Sequence, residues 1–332
     1  LGIDPEIMHL SLPYVQWMMA GSPLLFVYII YTSILRGVGD SITPLIALGM
    51  TSIIGFVITP ILIAGYFGFP KLGIIAPAIA SIIGYAAVLL FLMVYLNKKH
   101  HPLRPDAELF RHIRHQPELS RIILSLGIPT GIQMVTTSVA GLVIIGLVNR
   151  YGSEATAAYG AVNQVLNYIQ FPALSISIAA SIFAAQAIGA GKAELLAKVT
   201  RTALGMNLLI TGILVTLGYL FSKYLMALFI TDPAVVVLGQ QLLFIVLWAI
   251  LFFGASAIFA SIMRASGTVN VPMIINILAI VLIEVPCAYF FSQWWGLQGI
   301  WYAYALAFVS LCIGQGAYYQ FVWKKKTIQV LV

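Results

Sequence analysis

The chain has 332 residues, of which 61% are hydrophobic and 8% charged, with a formal charge of +7. Soluble domains carry about a quarter charged residues, so this composition excludes an ordinary soluble enzyme or binding module and points to the membrane. The excess of Lys and Arg does not indicate nucleic acid, because those residues sit in the loops between apolar runs.

Taken in chain order, nine apolar runs are long enough to cross a bilayer as helices, at about 20 residues per crossing: 14–35, 45–66, 73–96, 122–148, 156–188, 202–222, 235–262, 271–291 and 299–322. They are continuous rather than alternating, which disfavours a β-barrel. One set of loops holds Arg36, Lys98, Lys99, Arg104, Arg111, Arg114, Arg121, Lys192, Lys198, Arg201, Arg264, Lys324, Lys325 and Lys326, and the other holds only Lys71, Arg150 and Lys223. Basic loops stay in the cytoplasm, so the sequence predicts an outer N-terminus and a cytoplasmic C-terminus. No signal peptide is visible, and Cys287 and Cys312 lie inside apolar runs as packing residues.

The segment NKKHHPLRPDAELFRHIRHQPELSR, 97–121, is the one long polar stretch and reads as a basic cytoplasmic linker between a partial lobe at 1–96 and a six-helix lobe at 122–332. His112 and His115 are three residues apart and would share a helix face, but with no Cys nearby a solvated connector is the stronger reading than a metal site. No metal is assigned.

An internal repeat supports two lobes. RGVGDSITP (36–44) and RASGTVNVP (264–272) share Arg, a small residue, Gly and Pro at one spacing, 228 residues apart; LGIIAPAIA (72–80) and LQGIWYAYA (297–305) match more loosely. Matched runs lie six spans apart, so the copies have the same orientation, related by an axis along the membrane normal. Subtracting that spacing from Arg121 puts the start of the first copy about 107 residues before Leu1, room for three more helices. The expectation is a fragment or shortened form of a six-plus-six protein.

SILRGVGDSITP, ATAAYGAVNQ, FPALSISIAASIFAAQAIGAGK and IMRASGTVNVP, in that order, resemble the multidrug and toxic compound extrusion (MATE) family. The resemblance runs from what would be the family's fourth helix to its twelfth. It implies an all-α integral membrane protein: nine transmembrane helices, a partial three-helix N-lobe and a complete six-helix C-lobe around a central cavity. It also implies a monomeric, multi-pass transporter of the bacterial plasma (inner) membrane. Such a transporter exports amphipathic, mostly cationic small molecules in exchange for H+ or Na+, with no other cofactor. The chain departs from the family's acids. Where members often carry an acid in the seventh helix, eight residues after a proline, Pro129 is followed by Thr137. Where some carry Asn-x-x-x-Asp-Pro in the fifth helix, this chain has Gly55, Thr59 and Pro60. Ser81 matches a hydroxyl position in the sixth.

Within the apolar runs one acid stands out: Glu284, in IVLIEVPCAYFF (280–291). An ionised carboxylate at mid-bilayer costs several kcal/mol, so such a residue faces protein or water and is functional by default. Desolvation favours the neutral form of a carboxyl; a Glu there can load a proton on one side, release it on the other, and attract a cationic compound when ionised. Pro286 cannot donate to the Leu282 carbonyl, so the sequence predicts a kink beside Glu284. The bland alternative is a structural pairing of Glu284 with Asn276 or Gln133. Two polar stripes accompany it: Asn163, Asn167 and Gln170, and Thr130, Gln133 and Thr137, each sharing a helix face. They either line a cavity or bond neighbouring helices. The candidate coupling-ion or substrate set is therefore Glu284, Gln133, Thr137, Asn163, Asn167, Gln170, Asn276, Thr59 and Ser81. Trp294, Trp295 and Trp301 read as an interfacial belt; Tyr28, Tyr31, Trp248, Phe252 and Phe253 lie deeper. GAGK (189–192) is too short for a phosphate loop, and no HExxH or GxSxG marks an enzyme. A lipid-linked precursor flippase is the alternative transporter, disfavoured by the absence of mid-span Lys or Arg; a non-transporting remnant is the other.

Overall fold

The computed structural model describes residues 5–101, 103–104 and 116–326. Among these residues the chain is helical, with no strand, and nine helices are long and apolar enough to span a membrane. The chain divides into two compact units, 1–115 and 116–332.

The first unit contains α1 (Pro5–Gly37), α2 (Ile42–Ala64) and α3 (Ala76–Lys98). The third packs against the other two. Its small core is built on Leu35, Ala47, Val88, Leu92 and Leu96, with Tyr28, Tyr31, Phe91 and Tyr95 against it. The Tyr31 hydroxyl donates to the Leu103 carbonyl, which ties the chain after α3 back to α1. His112, His115 and most of the basic linker lie outside the described residues.

The second unit runs α4 (Pro117–Val148), α5 (Ser153–Gly189), α6 (Leu195–Leu220), a short α7 (Ser222–Ala227), α8 (Pro233–Val246), α9 (Ile250–Ala265), α10 (Asn270–Leu278), a π-helical segment Ala279–Glu284, α11 (Val285–Trp295) and α12 (Leu297–Phe321). Helices α5, α9 and α12 carry most of its packing. The sixth span starts at Leu195 rather than 202, because the helix continues through Lys198 and Arg201, beyond the apolar run that marks it in sequence. The span expected at 235–262 is two helices joined by a 3₁₀ turn at Leu247–Ala249. One expectation is overturned: Trp294 and Trp295 are 70% and 53% exposed, but Trp301 is fully buried and belongs to the core. The tight reversal before it explains this. Gly296 adopts φ +59°, and Gly299 sits where a Cβ would come within 2.1 Å of the Phe291 carbonyl oxygen, so α12 folds back against α11 and carries Trp301 inward.

The repeated turns share one backbone geometry. After α1, Gly39 N–H donates to Arg36 and Asp40 N–H to Leu35; after α9, Gly267 donates to Arg264 and Thr268 to Met263. Both glycines have positive φ, 94° and 80°. This is a Schellman-type helix end, with the left-handed position taken by Gly. The two copies then diverge. Asp40 accepts from the amides of Ile42 and Thr43 and from the Thr43 hydroxyl at 2.6 Å, capping α2, and its Oδ2 lies 4.0 Å from His101 Nε2. Thr268 stands at the equivalent place in the second copy. Partial burial pushes the Asp40 carboxyl up, but the Thr43 and Ile42 hydrogen bonds outweigh it and hold the group below the usual carboxylate value.

Two predictions follow from these contacts. An Asp40→Ala variant loses a cap worth about 1 kcal/mol. Because the folded-state carboxyl is the stronger acid, that stabilisation is fully present above the ordinary Asp value of about 3.9 and is lost as pH falls from there through the lowered folded-state value. Melting curves in detergent should separate the variant from wild type at pH 7 and converge in acid. In the core of the second unit, a Cβ at Gly254 would lie 2.1 Å from Asn207 Oδ1. Gly254→Ala should destabilise by about 1–3 kcal/mol through overpacking, and the loss should shrink when Asn207→Ala is added.

Candidate transport site

Glu284 ends the π-helical segment, and its backbone keeps helical angles, φ −58° and ψ −59°. The span Asn270–Trp295 runs on through π turns, which widen the helix just before Pro286. Pro286 falls in the first turn of α11, where a missing N–H is tolerated. Single π turns inside α-helices recur at functional sites.

The Glu284 side chain is half-buried and makes no hydrogen bond or ion pair with the described residues. In particular no hydrogen bond joins it to Asn276 or Gln133. On α12 the Tyr304 hydroxyl, which feels the charge of Glu284, is 3.1 Å from the Tyr159 hydroxyl on α5. Trp301 packs on both tyrosines, with ring centroids 5.5 Å from each, and its buried Nε1–H has no acceptor among the described residues. Tyr159, Tyr304 and Trp301 thus form one cluster between α5 and α12, with the charge of Glu284 acting on Tyr304.

The other predicted residues fall around this cluster or away from it. Asn163 sits one turn after Tyr159 and donates to its carbonyl at 3.0 Å. Asn167 is exposed and Gln170 half-buried on the same helix. Thr137 donates to the Gln133 carbonyl and Thr130 to the Leu126 carbonyl, all within α4, which packs along α10, the π segment and α11. Asn276 lies on α10, its buried Oδ1 without a hydrogen-bond partner among the described residues. Thr59, half-buried, and Ser81, whose hydroxyl donates to the Pro77 carbonyl, belong to the first unit. Within the stripes, Thr130, Thr137 and Asn163 are thus satisfied by their own helix backbone rather than by a neighbouring helix. Besides Tyr159–Tyr304, interhelical polar contacts include Thr200–Tyr319, Asn207 to the Leu251 carbonyl and Gln315 to the Pro272 carbonyl. Sequence reasoning missed Tyr159 and Tyr304. Tyr159 continues the Asn163–Asn167 spacing one turn back, which was a usable signal; Tyr304 had none. Among the described residues no cluster of three or more metal-ligating side chains occurs.

A bundle of membrane-spanning helices with an intramembrane acid fits a membrane transporter, and comparison with known proteins shows which family it is. The MatE family model matches residues 1–61 and 129–290. The "Probable multidrug resistance protein YoeA" of Bacillus subtilis (strain 168) is 44% identical over 335 residues, covering all of this chain and 72% of that protein. The "Probable multidrug resistance protein YpnP" of the same strain is 30% identical, over 96% of this chain and 70% of that protein. The solved outward-facing structure of a multidrug resistance MATE family transporter superposes with TM-score 0.90 at 20% identity, over 98% of this chain and 73% of that one. The chain belongs to the MatE family of multi-pass membrane transporters; it is not an enzyme.

The hydroxyl pair offers a direct test. Tyr159→Phe should strand the Tyr304 hydroxyl and cost about 1–3 kcal/mol, whereas the double variant with Tyr304→Phe should recover part of that, as read by thermal melts of the purified chain.

Proposed function

We propose that the protein is a secondary antiporter that moves amphipathic, mostly cationic small molecules out of the bacterial cell in exchange for H+ or Na+, with Glu284 carrying the coupling ion or the cationic substrate. The observation behind this reading is Glu284 itself, a half-buried carboxyl without an ion-pair or hydrogen-bond partner, at the end of a π-helical segment inside a membrane span. A structural acid would hold a partner; an acid that trades a proton or ion for a cation must be able to give its partner up. The multidrug resistance names of the relatives support the export role.

In this reading residues 1–96 belong to an N-terminal lobe and 122–332 form a six-helix C-terminal lobe of the same orientation. The like backbone hydrogen bonds at Gly39 and Gly267 support that repeat. The basic loops put the C-terminus in the cytoplasm, and Gln133, Thr137, Asn163, Asn167, Gln170, Asn276, Thr59 and Ser81 contribute polar surface for substrate.

Glu284→Gln should abolish ion-coupled efflux in everted vesicles while leaving expression and melting temperature intact. Glu284→Asp should retain part of it. Undiminished efflux and undiminished ion exchange in the Gln variant would refute the assignment.

A further inference from the structure

Helices α5 and α6 enclose a groove of about 590 Å³ at the end of the second unit where Lys192, Lys198 and Arg201 gather. Small residues, Ala179, Ala180 and Ala203, leave the space; Ile176, Phe183 and Met206 give it apolar walls. The Ser175 hydroxyl at the inner end is taken up by the Phe171 carbonyl, so it presents no free donor to an occupant. At the mouth stands Lys198, exposed and without an ion pair or hydrogen bond to any described residue, although Glu194 lies one turn before it.

Three features identify the occupant. From Leu195 to Met206 the groove follows α6 for about 16 Å at 1.5 Å per residue, half of the ~30 Å hydrocarbon core and hence one leaflet deep. Its walls are apolar along that depth, and its single charge, a cation, lies at the end where headgroups would be. At 3.6 residues per turn, its residues on α5 face about 175° away from Asn163, Asn167 and Gln170, so it lies on the face of α5 opposite the polar stripe. An amphipathic cation of the kind proposed above as substrate would meet Lys198 with like charge.

We propose that this groove holds an anionic phospholipid of the adjoining leaflet, one acyl chain lying between α5 and α6 and the phosphate paired with Lys198. Basic residues beside apolar clefts at membrane surfaces recognise acidic headgroups in this way. The site is independent of Glu284 and of the transport reading.

Native mass spectrometry of the purified full chain with equimolar phosphatidylglycerol and phosphatidylcholine tests it. Wild type should retain phosphatidylglycerol about five-fold over phosphatidylcholine, the weight of one lysine near an acidic surface. Lys198→Gln should bring that ratio close to one without lowering total lipid retained. Ala179→Trp, at an exposed position in the groove, should reduce retention of both lipids. Equal retention by wild type, an unchanged ratio in Lys198→Gln, undiminished lipid in Ala179→Trp, or ready displacement of the lipid by tetraphenylphosphonium would each overturn the proposal.

Discussion

Hydrocarbon offers no hydrogen bonds, so a chain that crosses it must satisfy every backbone N–H and C=O by itself. That requirement gives this protein its long helices and also governs its exceptions. Where the backbone departs from α geometry inside a span, the groups remain bonded in another register: a 3₁₀ turn at Leu247–Ala249 and π turns at Ala279–Glu284. The same demand reaches the side chains. Thr32, Thr51, Ser81, Thr130, Thr137 and Thr216 all return their hydroxyls to a carbonyl one turn back, so that few polar atoms are left to face lipid.

Against that background the unsatisfied groups gain meaning. The second unit contains the unpaired carboxyl of Glu284, the buried Nε1–H of Trp301 and the lone Oδ1 of Asn276 and Oε1 of Gln315. Buried polar atoms without partners are uncommon in folded proteins. All of them lie in one unit, along α10 to α12. The Tyr159–Tyr304 contact shows how the fold brings polarity near Glu284 without neutralising it, because a phenol can serve as donor or acceptor.

The nine spans were legible because hydropathy over about 20 residues is a strong signal. Their interruptions were not. Leu247–Ala249 is as apolar as its flanks, and nothing local distinguishes a 3₁₀ turn there from continued α-helix. Pro286 announced a disturbance, but proline alone does not say whether a helix bends or widens. Trp301 was misplaced for a similar reason: its neighbourhood to Trp294 and Trp295 in sequence suggested the interface, whereas the reversal at Gly296 and Gly299 turns it into the core. Glu284 was legible as the sole acid in an oily run. Tyr304, apolar in every local respect, required the contact with α5 to show its role.

The π segment has a geometric consequence for the acid that ends it. An inserted residue of this kind is not pinned to one place along a helix, because each backbone bond it displaces can be remade one step further on. Sliding the insertion by one residue turns the intervening side chains by about 100° while both ends of the helix keep their seats. The insertion therefore sets which side of the span Glu284 occupies, whatever the seating of the helix at its two ends.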